Sequence, residues 1–585
     1  MKKIIVFIFF LASVYADSAK PNIIVFLSDD QGWGDLSING NKDISTPHID
    51  SLAQDGALFE NFYVQPVCSP TRAEFLTGRY AFRSGVQSTS EGGERFNLDE
   101  QTIADVFRQA AYATAAFGKW HSGMQYPYHP NGRGFDEFYG FCSGHWGNYY
   151  SPMLEHNGKI VKGEGFCVDD FTERAMAFME ANKEKPFFVY LPYNTPHTPM
   201  QVPSRFWDKF SSKKLSMKNS FNKKSGHGED FVKAALAMCE NIDWNVGRVL
   251  NKLDDLNIAE NTIVLYFSDN GPNSLRWNGN MKGKKGSTDE GGVRSPLHMR
   301  WPRKIKPQQR IKEVTGAIDL LATLSSLAGV EFQGKKQLDG LDFSSLLIDK
   351  KREWDEDRML LAYWKGKSSL RSQNYRLDTQ GKLYDMRKDR QQKNDLSKQL
   401  PETQARLQSH LNGLLQEVSE QLPAKDQRPF LICHENFEWT QIPARDGHAH
   451  GGIKRSNRWP NCSFFTNWTS LDDRIIFDAY VQEPGTYELE IYYTCPKGSE
   501  GSEFKISFGK NSIKGKIIEA HDPPLFGMNQ DRSKRAESYV KNFKRLNLGQ
   551  IELNQGAQKI EMQALKIVAG EVMDFRLLML RRVEQ

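Results

Sequence analysis

Residues 22–30 read NIIVFLSDD, and residues 262–270 read TIVLYFSDN. In both, an apolar run rich in β-branched and aromatic residues stops at a serine followed by acid or amide side chains. A short run without polar alternation is what a strand buried on both faces needs. Two further runs behave alike: Thr114 to Phe117 leads into Gly118-Lys119-Trp120-His121, and Phe187 to Leu191 leads to Thr195-Pro196-His197. Helix-like stretches lie between them, among them 46–55 and 230–253. Strands alternating with helices predict an α/β unit with a mostly parallel central sheet flanked by helices. Ligands of such sheets bind beyond the carboxyl ends of the strands, where these polar residues fall.

Downstream, 360–396 reads as a short strand-and-turn unit, and Pro401 to Val418 as an amphipathic helix with Leu407, Leu411, Leu414 and Val418 on one stripe. Together they predict a small subdomain, about 355–420, closing a first domain of 17–420. The polar stretch Glu420 to Arg428 reads as a linker. Beyond it the pattern changes to alternation, as in Tyr487-Glu488-Leu489-Glu490-Ile491-Tyr492 and Phe504-Lys505-Ile506-Ser507-Phe508. This predicts an all-β sandwich over 430–585, a candidate carbohydrate-binding domain.

A chain of 585 residues has room for two to four domains. Its net charge of +5 is small and mixed along the sequence, and leaves no footprint of a nucleic-acid or membrane partner. Lys2 and Lys3 precede an apolar run from Ile4 to Ala12, with Val14 and Ala16 at the positions a signal peptidase reads. This predicts a signal peptide, 1–16, and a secreted or periplasmic protein. No other segment approaches the ~20 apolar residues that span a bilayer. The seven cysteines (68, 142, 167, 239, 433, 462 and 495) permit disulfides in an exported protein, with at least one thiol left over and Cys68 the candidate.

Asp29, Asp30, Asp269 and Asn270 are hard oxygen donors, which suit Ca²⁺ or Mg²⁺ rather than zinc. Arg72, Lys119, His121, His197 and Lys285 are cationic or can become so. Each alone fits an ordinary cap, turn or hydrogen-bonding role. Together, a metal ringed by positive groups at one sheet edge implies a bound oxyanion, because clustered positive charges otherwise repel. Residues 67–80, VCSPTRAEFLTGRY, are neither a clean strand nor a clean helix. They lack the second cysteine of a zinc site, and leave a buried core cysteine and a reactive one both open.

Cys68-Ser69-Pro70-Thr71-Arg72, followed by Leu76-Thr77-Gly78-Arg79, resembles the signature of type I sulfatases in the alkaline-phosphatase superfamily. The resemblance runs from about Asn22 to Val418. It includes Gly118-Lys119-Trp120-His121, Thr195-Pro196-His197-Thr198-Pro199 and the glycine-rich loop from Lys285 to Gly292, with Lys282 and Lys284 as neighbouring lysines. It implies that a maturation enzyme converts Cys68 to Cα-formylglycine. It also implies one Ca²⁺ held by Asp29, Asp30, Asp269, Asn270 and the modified side chain. In the family mechanism one hydroxyl of the hydrated formylglycine attacks sulfur, and the other loses its proton, here to His121, so that the aldehyde re-forms and sulfate leaves. His197 and Lys285 would stabilise or protonate the leaving oxygen, and Arg72 and Lys119 would hold position 68. Some members place a supporting serine near Phe141 to His145; Ser143 is not assigned that role.

The expected function is hydrolysis of sulfate esters, with a sulfated carbohydrate as substrate. The alternatives are a phosphonate or phosphodiester hydrolase on the same fold, and a catalytically silent glycan-binding protein. The loops 80–96 and 140–151 are expected to wall the pocket, the second through Phe141, Trp146, Tyr149 and Tyr150. Two readings of the C-terminal domain stay open. As a separable binding module, it would leave activity on small sulfated sugars intact when removed. Otherwise it packs over the pocket and completes its wall.

Overall fold

The computed structural model describes residues 20–218, 227–348, 354–423 and 425–583, so the expected signal peptide lies outside the described residues. The central sheet has eleven strands: β1 (Asn22–Ser28), β2 (Ala57–Tyr63), β3 (Ala113–Lys119), β4 (Glu137–Phe141), β5 (Met153–His156), β6 (Lys159–Lys162), β7 (Phe187–Pro192), β8 (Thr262–Ser268), β9 (Arg294–Ser295), β10 (Leu297–Arg300) and β11 (Gln309–Gly316). Their order is β11-β2-β10-β8-β1-β7-β3-β4-β5-β6, with β9 paired to β2. The segment β8-β1-β7-β3-β4 is parallel, and β10 and β5 run antiparallel on its two flanks.

Every residue of β1, β3, β7 and β8 is buried. Successive side chains face opposite ways, so the sheet feeds two cores. Ile23, Val25 and Leu27 join Phe75 and Leu265 on one side, while Ile24 and Phe26 join Ala234 and Ile242 of the long helix Glu229–Asp255 on the other. The four apolar runs read from the sequence are thus the four middle strands. They end at one edge, which is where the acidic and basic residues collect.

The segment 67–80 is a helix, Cys68–Thr77, stopped by Gly78 in the left-handed region. All ten of its residues are buried. A helix with no solvent face has no reason to show a 3.6-residue polar period, which is why the sequence pattern hid it.

Four short strands (Leu360–Trp364, Lys367–Arg371, Tyr375–Leu377, Leu383–Asp385) and the helix Pro401–Gln421 form the small unit that follows. Leu407, Leu411, Leu414 and Val418 pack with Leu361, Leu370 and Leu377. The stretch read as a linker is tied down: Asp426 pairs with Arg428 at 2.7 Å, and Arg95 donates to the carbonyls of Arg428 (2.7 Å) and Pro429 (2.9 Å). Beyond it, two six-stranded sheets face each other, with Ile475 and Phe477 of one meeting Leu489, Ile491 and Leu578 of the other in one core. All seven cysteines are free and buried, so the disulfides the sequence permits do not form, and Cys68 is one free thiol among seven. No helix among the described residues is long and apolar enough to cross a membrane.

Candidate active site

Cys68 opens its helix at the carboxyl edge of the sheet and is 3% exposed. Its sulfur and carboxylate oxygens of Asp29, just after β1, and Asp269, just after β8, lie within 4.8 Å of one another. Asp29, Asp30 and His197 form a second group within the same limit. Asp30 and His121 both have left-handed backbone (φ 68° and 63°), uncommon for such residues and a frequent companion of functional sites.

Cations surround the carboxylates. Lys119 Nζ, at the end of β3, lies 2.6 Å from Asp29 Oδ2. Arg72 donates Nε (3.2 Å) and Nη2 (2.8 Å) to Asp269 Oδ2, and Nη1 to the Lys119 carbonyl at 2.8 Å. Arg72 and Lys119, expected to hold position 68, therefore hold the two carboxylates beside it. Lys285 Nζ is 2.6 Å from Asp30 Oδ1. Lys282 pairs with Asp289 at 3.1 Å, so of the lysines in this loop Lys285 is the one that reaches Asp30.

Burial works to raise the Asp29 carboxyl, yet Lys119, His197, Arg72 and Lys285 together hold it far below the usual range. Burial likewise opposes the Lys285 ammonium, and the Asp30 charge holds it protonated. Asp269 goes the other way: burial and the charge of Asp29 push it up to about 7 despite Arg72. Arg72, Lys119 and Lys285 match the three carboxylates in number, so the rise at Asp269 comes first from burial and then from its neighbour Asp29. Asp29 Oδ1 and Asn270 Oδ1 are buried without a hydrogen-bond partner among the described residues, while Asn270 Nδ2 donates to Asp30 Oδ1 at 2.8 Å. Clustered carboxylates with orphaned hard oxygens fit a divalent cation of the calcium or magnesium type.

His121 Nε2 lies 2.9 Å from the Thr89 carbonyl, so that nitrogen carries the hydrogen, and buried Nδ1 is left with its lone pair and no partner. Burial and Lys119 hold His121 well below the usual histidine range, so it is neutral. His197 gives its Nδ1 hydrogen to the Thr198 carbonyl (2.8 Å) and directs Nε2 toward Asp30 Oδ2 at 3.7 Å. Cys68 as a thiol is inert: burial pushes it up to about 12.

The group lies at the base of a cavity of about 1200 Å³. The loop 80–96 walls it as expected, through residues such as Ser88 and Thr89. The loop 140–151 departs from expectation. Phe141 and Tyr149 are core residues, Trp146 stacks on Phe141 at 5.1 Å and Tyr150 packs on Phe166, so Gly144 and His145 alone from this loop reach the cavity. Sequence reasoning missed His145, whose ring stacks on His197 with centroids 5.7 Å apart. A lone histidine in a glycine-rich loop was its only signal. Ser143 donates to the Asn461 carbonyl at 2.7 Å, away from Cys68.

Further walls come from Tyr363 to Gly366, from Leu415, Val418 and Ser419 of the helix Pro401–Gln421 and, in the C-terminal domain, from Arg458 to Asn461 and Glu537. Asn461 Nδ2 donates to the same Thr89 carbonyl (3.2 Å) that holds His121. Buried Arg445 pairs with buried Glu94, and Gln201 Nε2 donates to Asp531 Oδ1 (2.9 Å). The C-terminal sandwich is therefore packed over the pocket. A separate buried triad, His129, Cys142 and Glu155, also groups potential ligands. There the Asn131 amide donates to His129 Nδ1 and the Cys142 thiol donates to Glu155 Oε1 (2.8 Å), while His129 Nε2 lies 3.5 Å from the same oxygen without a hydrogen bond.

The family model described as Sulfatase matches residues 21–330, more than half of the chain, and that described as N-sulphoglucosamine sulphohydrolase, C-terminal, matches 284–421. The chain is similar to N-acetylgalactosamine-6-sulfatase of Mus musculus, 32% identical over 364 residues, covering 56% of this chain and 66% of the relative, just under two thirds of its length. It is similar to steryl-sulfatase of Homo sapiens, 30% identical over 458 residues, covering 61% and 75%. Among solved structures, Ps i-CgsB in complex with k-i-k-neocarrahexaose is 31% identical, with a TM-score of 0.60 and coverage of 68% of this chain and 92% of that one.

Proposed function

The chain belongs to the sulfatase family and has its alkaline-phosphatase-like fold; from this premise we propose that it is an exported hydrolase of sulfate esters on sulfated carbohydrates, with Cys68 converted to formylglycine. One observation carries the reading: Cys68 meets Asp29 and Asp269 in one buried cluster, under a cavity large enough for several sugar rings. Asp29, Asp30, Asp269 and Asn270 would hold calcium, which when bound neutralises the crowded carboxylates and the charge of the ester. The hydrated aldehyde at 68 would supply an oxygen nucleophile where a buried thiol is inert. Lys285, kept charged by Asp30, attracts the sulfate and stabilises the leaving oxygen. His197 Nε2 is directed toward the same end of the site. His121, neutral and with a bare Nδ1, takes the proton whose loss releases sulfate. The wide cavity and the carbohydrate bound by a 31% identical neighbour support a sugar over a small aryl ester.

The test is to purify the full chain after co-expression with a formylglycine-generating enzyme. Mass analysis of the peptide containing residue 68 should show the aldehyde, and sulfate release from sulfated sugars should exceed phosphate release from phosphate esters. Full activity with an unmodified thiol would overturn the mechanism, and faster phosphate release would favour the phosphonate or phosphodiester reading.

A further inference from the structure

Two walls of the cavity carry the same pairing of an indole with a free cation. At the tip of the hairpin between the strands Leu360–Trp364 and Lys367–Arg371, Lys365 Nζ lies 5.4 Å from the ring centre of Trp364. In the C-terminal domain the Arg458 guanidinium lies 4.8 Å from the ring centre of Trp459, which is 46% exposed. Neither Arg458 nor Lys365 forms an ion pair among the described residues. A cation over an indole gains from the ring quadrupole and keeps its outer hydrogen-bond donors for a ligand.

The turn that presents Arg458 and Trp459 is rigidly built. Asn457 Oδ1 accepts from the Trp459 amide (2.9 Å), and Asn457 Nδ2 donates to the Ala536 carbonyl (2.8 Å). The Ser456 amide donates to the Phe464 carbonyl (2.9 Å), and Asn461 is held by Thr89 and Ser143 across the domain boundary. A fixed, half-exposed tryptophan on a cavity wall loses little entropy when a flat apolar face lands on it.

We infer that Arg458 and Trp459 form a subsite for the sugar next to the one whose ester is cleaved, with Trp459 stacking on the ring and Arg458 binding a second sulfate. This rests on the sulfated-carbohydrate reading above. An alternation of ring and anion matches an alternation of indole and cation, which a small monosulfated ester would not use. The subsite lies beyond residue 421, where the family match ends.

The experiment uses the full chain carrying Cys68→Ala, so that bound substrate is not turned over. Binding of hexasaccharides from carrageenan, chondroitin sulfate, heparan sulfate and sulfated fucan is measured by calorimetry. The expected result is binding of at least one multiply sulfated hexasaccharide, with Kd raised about tenfold by Trp459→Ala and by Arg458→Ala. Arg458→Lys should recover part of the loss. When the hexasaccharide keeps sulfate only on its terminal sugar, Trp459→Ala should still weaken binding and Arg458→Ala should not. Unchanged Kd in both alanine variants with unchanged melting temperature, or no binding of any of the four, overturns the subsite. Sulfate release by the unmutated chain is scored separately. Arg458-dependent binding without release sinks the hydrolase reading and keeps the subsite, and release with Arg458-independent binding does the reverse.

Discussion

Arg72 illustrates how much of the site one side chain organises. Its fork spans Asp269 and the Lys119 carbonyl, joining the acid after β8 to the lysine that ends β3 from inside a fully buried helix. Lysine would keep the charge and lose the second contact. Arg72→Lys should therefore fold but lower kcat/KM for sulfate release by about 10²-fold, through misplacement of Asp269 and Lys119. Steady-state kinetics beside a melting curve checks this; near-normal kcat/KM would show that Arg72 is only structural. The same carboxylates predict a metal effect. With Asp269 pushed up to about 7 by burial and Asp29, a divalent cation removes repulsion that protons otherwise relieve. Calcium at about a hundredfold over its Kd should stabilise the fold by about 2.7 kcal/mol, and chelation should remove that increment. Equal unfolding free energies with calcium and with chelator would contradict the site.

At the scale of elements, the loop bearing Lys285 depends on a neighbour outside the central sheet. Glu290, at the loop's end, accepts from Arg376 (2.8 Å) of the four-stranded sheet and from Arg294 (3.1 Å) and Tyr63 (2.9 Å), all in the interior. Arg376 also donates to the Thr288 carbonyl at 2.9 Å. Burial alone would raise the Glu290 carboxyl; Arg376, Arg294 and Arg371 bring it down to about 2. A folded value below the unfolded one means the stabilisation is present above pH 4.5 and lost as pH falls toward 2. Glu290→Gln should cost about 3–5 kcal/mol at neutral pH, as breaking a buried pair does. The gap to the parent chain should close between pH 4.5 and 2. Urea unfolding at pH 7 and pH 3 tests this, and a gap that does not change with pH would assign the loss to packing. The 355–420 unit was legible as a unit from its leucine stripe, but its hold on the lysine loop was not. That hold runs through Arg376, one arginine among many in the sequence.

For the molecule as a whole, the question left open by the sequence was whether the C-terminal sandwich is a detachable module. Its Arg445, Asn461 and Asp531 are bonded to Glu94, Ser143, Thr89 and Gln201 of the first domain, and its residues form one wall of the cavity. A chain ending at Leu422 would expose Glu94 and free the Thr89 carbonyl beside His121. It should be inactive even on the smallest sulfate ester and should melt below the full chain. A truncated, formylglycine-bearing protein with the parent's kcat on that ester would restore the module reading.

The sequence by itself determined the parallel sheet, because strands buried on both faces must be continuously apolar and cannot be mistaken for half-buried ones. It brought six of the candidate site residues together as well: Asp29, Asp30, His197, Asp269 and Asn270 follow strand ends and Lys119 ends a strand, and a parallel sheet brings all such ends to one edge. Tertiary structure alone decided the rest. The helix from Cys68 is buried all round and so carries no period. The aromatics of 140–151 went to the core, while Trp364 and Trp459 came to the cavity from regions hundreds of residues from Cys68. Which face of a loop meets solvent depends on what packs against it, and a domain contact is made by residues whose local pattern differs in no way from ordinary surface.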